Sequence, residues 1–268
     1  MTINYDKEKK IVNIKKAVSN YIQNGPNKTR MPLGRMFVLA IAAGAFIAFA
    51  GAASTVAAST ISNASVAKTV TSLVFPAGLA LVVAGGTELF TGNCLLTSSL
   101  AAKQITWKDV CRNWAVVYIG NFAGAILVSM LFSYGHVYDL FGGQAALSAV
   151  NTANAKCLLP FGTALLKGIG CNILVCVAVM NAGMGETVTQ KIGALYLPIF
   201  MFVVLGLEHS IANMSYITTG LLLKNSVEGS FEALTVGNFL LKNLLPVTVG
   251  NMIGGCLTGI YYWFTTKD

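Results

Sequence analysis

Eight residues occur in two related copies, each inside a segment too apolar for a soluble protein. The first copy is Gly86-Thr87-Glu88-Leu89-Phe90-Thr91-Gly92-Asn93 and the second is Gly206-Leu207-Glu208-His209-Ser210-Ile211-Ala212-Asn213. Gly, Glu and Asn keep the same spacing in both. A carboxylate and a helix-breaking glycine are costly within lipid. They are tolerated where the backbone is buried in protein or lines a cavity. Two such interruptions at matching places in two halves of a membrane protein point to a permeation site near the bilayer midplane.

The rest of the chain agrees with a membrane setting. Of its 268 residues, 55% are hydrophobic and 10% are charged, where a soluble domain carries about 25% charged residues. Mean hydropathy is +0.67. Six spans are expected near 36–58, 70–102, 113–133, 160–180, 192–222 and 236–264, each close to or above the roughly 20 residues that cross a bilayer. The second and fifth are long and carry the repeated motif, so each is expected to be two half-helices joined by a non-helical break. No polar stretch is long enough for a soluble second domain.

The net charge of +8 is not spread as a nucleic-acid surface would be. Eight of the 18 Lys and Arg precede the first span: Lys7, Lys9, Lys10, Lys15, Lys16, Lys28, Arg30 and Arg35. Lys103, Lys108 and Arg112 form a second group between spans two and three. This is the positive-inside pattern and places the N-terminus in the cytoplasm; with six spans, both termini are expected there. A cleavable signal peptide is not expected, since a polar stretch precedes the first apolar run. Within residues 1–35, Ile11, Ile14, Val18, Tyr21 and Ile22 recur at helical spacing with lysines on the other faces. An amphipathic helix on the cytoplasmic membrane surface is expected, stopped by Gly25-Pro26. Residues 36–268 would form the transmembrane domain.

The repeat extends past the motif. Span three reads Arg112-Asn113, Val117, Gly120-Asn121, Gly124; span six reads Lys242-Asn243, Val247, Gly250-Asn251, Gly254. Spans one and four match weakly, around Gly44 and Gly170. Each half holds an odd number of spans, so the halves must run in opposite senses, an all-α inverted 3+3 repeat. The glycines at 120, 124, 250, 254 and 255 are expected to let helices approach closely.

Few residues can carry chemistry. The chain has two histidines, and His209 lies in the second break, where it can give a hydrogen bond or a proton to an anion; a packed neutral histidine is the alternative. Leu89 holds the matching place, so the site is asymmetric. Glu88 and Glu208 are expected to accept bonds from backbone N–H groups freed at the breaks, with Asn93 and Asn213 in similar scaffold roles. Thr91 offers a hydroxyl to His209 or to a substrate. Asn172 is a buried polar group that can face a pore. Lys156 can draw anions to a pore mouth by focusing the field, or simply snorkel. Lys167 is expected to pair with an acid or with carbonyls, and His136 with Asp139 nearby is read as an exposed loop residue. Phe75, Leu79, Phe90 and Phe202 can form dry constrictions or face lipid and packing partners. The six cysteines, Cys94, Cys111, Cys157, Cys171, Cys176 and Cys256, contain no Cys-x-x-Cys pair and read as small membrane-core residues rather than metal ligands or disulfides. No cofactor is expected.

The two motif copies, extended to Met214, together with Lys167-Gly168-Ile169-Gly170-Cys171-Asn172-Ile173-Leu174-Val175-Cys176, resemble the signatures of the formate/nitrite transporter family. That resemblance covers nearly the whole chain. It implies an aquaporin-like protomer in a homopentamer, with one pore per protomer for small monovalent anions such as formate, nitrite or hydrosulfide. It implies that His209 is the central pore histidine and Thr91 its partner on the break of span two. Lys156 becomes the outer-vestibule lysine and Asn172 the asparagine near the histidine. Phe75, Leu79, Leu89 and Phe202 become the lining of two constrictions. The expected mechanism has the anion gathered near Lys156, then neutralised or hydrogen-bonded by His209. It crosses without ATP, since no Walker-type loop is present. The alternatives are a neutral-solute channel of the water or glycerol type, which normally shows Asn-Pro-Ala pairs absent here, and a membrane enzyme, for which no His-Glu-x-x-His is present.

Overall fold

A computed structural model describes residues 14–266. Every regular element among them is helical. Five helical segments are long and apolar enough to cross a membrane: Leu33–Ala58, Ala64–Ala84, Trp107–Tyr134, Phe161–Gly183 and Val236–Thr266. Val188–Val204 is a shorter apolar helix.

The chain opens with α1 (Ile14–Arg30), then α2 (Leu33–Ala58), α3 (Ala64–Val74) and α4 (Pro76–Ala84). After a gap come α5 (Phe90–Asn93), α6 (Leu96–Ala101) and α7 (Trp107–Tyr134). The second half runs α8 (Gln144–Cys157), α9 (Phe161–Gly183), α10 (Val188–Val204), then after a gap α11 (Ser210–Leu223), α12 (Val236–Asn238) and α13 (Leu245–Thr266). Two contacts dominate: α7 lies along α2, and α13 lies along α9. Gly124 and Gly254 allow this closeness, because a Cβ on either would collide with the carbonyl of Ile41 or Ile169. Close backbone approach through small residues is how helices associate in lipid, where the hydrophobic effect gives no drive.

Helix ends depart from the apolar runs where side chains cap them. The second span begins at Ala64, because Asn63 Oδ1 accepts from the N–H groups of Ser65 and Val66 at 3.0 and 3.1 Å. Its first turns are polar, which hides them from a hydropathy reading. Capping boxes start α7 at Thr106/Asp109 and α10 at Thr187/Gln190. Such caps satisfy N–H groups that the first turn leaves orphaned. Phe239–Leu244 forms a π-helical turn at the head of α13.

The N-terminal helix differs from expectation in two ways. It does not stop at Gly25-Pro26 but continues to Arg30. Its apolar stripe seats on protein rather than lipid: Val18 is fully buried beside Leu95, Cys176, Met180 and Tyr262, with Ile14, Tyr21 and Ile22 around it. Tertiary ties override the proline. Gly25 closes on Ser99, where a Cβ would not fit. Arg112 donates its guanidinium to the carbonyls of Thr29 and Met31 at the helix end, a favourable place for a cation. Ile11 lies outside the described residues.

Candidate functional site

The two motif copies form the two gaps, after α4 and after α10. At each gap a glycine turns the chain with positive φ, +60° at Gly86 and +64° at Gly206. Any other residue would be strained there. The exposed backbone is then tied down by side chains from other helices, in the same pattern twice. Asn121 Oδ1 accepts from Phe90 N at 2.9 Å, and Asn251 Oδ1 accepts from Ser210 N at 2.8 Å. The Asn121 amide donates to the carbonyls of Ala40 and Glu88, and the Asn251 amide to those of Gly168 and Glu208. Each of these asparagines is fully buried, and unpaired backbone at this depth would cost several kcal/mol in lipid (of order 2–7).

The glutamates act differently from expectation. Neither takes a freed backbone N–H. The Glu88 carboxylate accepts from Lys28 Nζ at 2.8 Å and Asn93 Nδ2 at 2.7 Å. The Glu208 carboxylate accepts from Lys156 Nζ at 3.0 Å and Asn213 Nδ2 at 2.6 Å. Asn93 and Asn213 extend the chain to Asn113 and Asn243 at 2.9 and 2.8 Å, which in turn donate to the carbonyls of Lys28 and Lys156. The first N–H after each gap is taken by the uncharged Asn121 or Asn251, leaving each carboxylate to balance a lysine.

These bonds extend the repeat beyond the span pattern. Lys28 precedes Pro32, and Lys156 precedes Pro160, at equal spacing, and a helix begins after each proline. So α1 and α8 correspond, and Lys28 is the counterpart of Lys156. Lys-x-x-x-Pro was visible in the sequence at both places, but one copy sat in a basic tail and read as general charge. The register of spans one and four also shifts. Ala40 O and Gly168 O play the same part, which sets Gly44 opposite Asn172 rather than Gly170. Lys167 gives its backbone carbonyl to Glu208 N, and no acid pairs with its ammonium among the described residues.

Two cavities approach the gaps. One, of about 350 Å³, lies under α1 and includes Lys28, Glu88, Leu79 and Leu89 in its wall. The other, of about 370 Å³, lies under α8 and includes Lys156, Phe75, Phe202 and His209. Phe75 and Phe202 meet edge to face with centroids 5.7 Å apart, and Phe202 stacks on the His209 ring at 5.9 Å. Tyr216 stacks on Phe75 and lies beneath Lys156 Nζ, 5.5 Å from the ring centre.

His209 is in the wall of the α8 cavity, and its Nε2 lies 2.9 Å from Thr91 Oγ1, with both groups buried. His209 is also the N-cap of α11: its Nδ1 accepts from Ala212 N at 3.1 Å. An acceptor Nδ1 leaves the proton of the neutral ring on Nε2. The histidine therefore donates its N–H to the threonine. The ring is poised as a donor by its own helix.

Asn172 lies near the histidine, on the residue that His209 bonds, while Phe90 is placed otherwise than expected. Asn172 is in neither cavity wall. Its amide donates to Thr91 O at 3.1 Å and Asn251 O at 2.7 Å, so it holds the backbone of the first gap from behind. Phe90 packs edge-on against Tyr118 and Trp114, away from both cavities. A side chain one residue from a gap can face either way, and alternation along Leu89, Phe90 and Thr91 turns the phenylalanine outward. His136 bonds Asp139 at 2.8 Å on the exposed loop.

The same chain can be set beside known proteins. The sequence profile described as "Formate/nitrite transporter" matches residues 15–264. The formate channel FocA of Escherichia coli (strain K12) is 38% identical over 250 residues, covering 88% of this chain and 87% of that protein. A probable formate transporter of Methanothermobacter thermautotrophicus is 34% identical over 258 residues, covering 89% and 91%. A solved pentameric formate channel with formate bound superposes with a TM-score of 0.78 at 35% identity, covering 87% of this chain and 97% of the other. A solved FNT family ion channel superposes at 0.82 with 28% identity, covering 95% and 98%. The neutral-solute alternative gains nothing from these matches, and the proteins named in them are channels and transporters rather than enzymes. The chain belongs to the formate/nitrite transporter family.

Proposed function

We propose that this protein is a homopentameric channel for small monovalent weak-acid anions, formate foremost and nitrite or hydrosulfide in the same class, with one pore per protomer. The observation that carries the reading is the Thr91–His209 pair: His209 lines the cavity walled by Phe75 and Phe202, and Thr91 follows Leu89, which with Leu79 lines the other cavity. A bare anion entering either apolar throat loses hydration at a large cost. An imidazole N–H beside the throat offsets part of that cost, and a proton passed through the ring to the anion, with the ring regaining one from the solution, removes most of it. Thr91 holds the N–H until an anion replaces its hydroxyl as acceptor. Lys28 and Lys156 stand at the two mouths, each held by a glutamate.

In this reading the protomer crosses the membrane six times as an inverted 3+3 repeat. Residues 36–268 form the channel and α1 forms a cap on its cytoplasmic mouth. The protein sits in the cytoplasmic membrane with both termini inside. Support comes from the paired hydrogen-bond patterns around the two gaps and from the basic residues grouped near α1. The membrane-surface role first expected for the N-terminal helix gives way to a protein-seated one.

Anion flux into proteoliposomes tests the function, comparing formate, nitrite, hydrosulfide and glycerol at two pH values. Uptake of a weak-acid anion, faster at the lower pH, is expected. Glycerol flux without anion flux overturns the proposal.

A further inference from the structure

The cavity under α8 holds a second lysine that the transport reading does not use. Lys68 lies on α3, and Lys68, Thr71 and Phe75 follow one another along one helix face into that cavity. The three place an ammonium, a hydroxyl and then an apolar ring in order toward His209. The two lysines of this cavity are not equivalent. Lys156 Nζ is committed to both oxygens of Glu208, each at 3.0 Å. Lys68 is partly exposed and bonds no acid among the described residues. Its Nζ lies beside the second gap, 4.0 Å from where a Cβ on Gly206 would stand. The charged groups that bear on it are Lys156, Glu208 and Lys167. Glu208 is taken by Lys156, so the Lys68 ammonium stands at this mouth without an acid partner among the described residues.

Among the described residues, the wall of the other cavity shows no such unpaired charge. That wall contains Lys28 and Glu88, paired at 2.8 Å, and no second lysine. Counting the same distance back from the second motif as Lys68 lies from the first gives Val188. The repeat therefore supplies one paired lysine to each mouth, and Lys68 breaks the symmetry.

We propose that Lys68 is the docking cation for a small monovalent carboxylate at the α8 mouth. It holds the anion above the Phe75–Phe202 throat and makes loading from that side tighter than loading from the α1 side. A compact ammonium at a low-dielectric opening raises local anion concentration by focusing the field. This rests on the transport reading.

The test measures initial formate uptake against concentration in right-side-out and inverted membrane vesicles carrying the full-length protein. In the wild type, half-saturation is expected at lower formate in the orientation that presents the α8 mouth. Lys68→Met is expected to raise that value about fivefold to tenfold, the range for one partly screened charge, and to leave loading from the α1 mouth unchanged. Lys68→Arg, which keeps the charge, is expected to stay within about twofold of the wild type. Lys68→Gln is assayed beside them, so that misassembly of one neutral variant does not decide the result. Unchanged half-saturation at the α8 mouth in a folded neutral variant overturns the docking role and leaves transport standing. An equal rise at both mouths also overturns it. Absence of formate flux in the wild type overturns the transport reading and the docking role together.

Discussion

His209 serves two masters, and its substitutions can be chosen to separate them. Nδ1 caps α11, while Nε2–H points at Thr91. Asparagine is a good N-cap, so His209→Asn should keep the fold while removing the imidazole donor. Formate flux is expected to fall tenfold to a hundredfold, the loss for one hydrogen bond to a charged group of about 1.5–3 kcal/mol, and its pH dependence should flatten. His209→Phe should lose the flux and, in addition, about 1 kcal/mol of stability from the missing cap. Flux assays with thermal unfolding of the same samples check both. Full flux with unchanged pH dependence in His209→Phe would remove the histidine from the mechanism. The ion pairs give a second residue-level prediction. Glu208 and Lys156 have side chains only 6% and 15% exposed. Glu208→Ala should cost about 3 kcal/mol, because it strands a mostly buried ammonium. Adding Lys156→Met should recover a good part of that loss. A double-mutant cycle read by thermal unfolding tests it, and a coupling energy near zero would contradict the pairing.

At the scale of elements, the breaks are stable because neighbouring helices bond the backbone that the break exposes. Asn121 on α7 makes two such bonds, with Phe90 N and Glu88 O, and Asn251 on α13 makes two, with Ser210 N and Glu208 O, while a third bond from each anchors it to Ala40 O or Gly168 O. Asn121→Ala should leave Phe90 N without a partner, at about 1–3 kcal/mol. Amide exchange at residues 88–93 should speed up, with little change at 208–213. Asn251→Ala should show the converse. Exchange measured by mass spectrometry on the detergent-solubilised protein checks both, and equal acceleration at the two gaps in either variant would contradict separate ties. The sequence displays these asparagines, and the Gly-Asn spacing of spans three and six marks them as a repeat. It does not display their function, because a buried asparagine and a freed N–H far apart in sequence meet only once the helices are assembled. The same limit explains Glu88 and Glu208. Read locally, a carboxylate at a break should take the nearest backbone N–H, but a lysine from another helix competes and wins. Pro26 does not act as a stop signal for a related reason: Gly25 closes on Ser99 just before it, and Arg112 bonds the helix end that follows it, both from a distance in sequence.

At the scale of the molecule, the family and the placement of the gaps were legible because glycine with positive φ and a buried glutamate have few cheap substitutes in lipid. The reach of the repeat into α1 was not, since a lysine four residues before a proline means little in a basic tail. With Lys28 and Lys156 matched, the proposed inverted repeat gives each half one short helix, α1 or α8, followed by three crossings, and in that reading every loop has a side. On one side belong α1, the 102–106 turn and the 184–187 turn: Arg112 bonds the end of α1, and Ala17 Cβ lies 3.6 Å from where a Cβ on Gly183 would be. On the other belong α8 and the 224–235 loop, since Gly220 closes on Ala153 and Lys224 donates to Leu234 O. Single cysteines placed at Lys103 and Glu186, with exposed Cys111 replaced, should react with a membrane-impermeant thiol reagent only in inverted vesicles. Cysteines at Phe141 and Glu228 should react only in right-side-out vesicles. Each pair is separated in sequence by spans that must cross an even number of times, so the two members of a pair have to label together. Labelling of Lys103→Cys and Glu186→Cys from opposite sides would require an odd number of crossings between them, and the inverted repeat could not then hold.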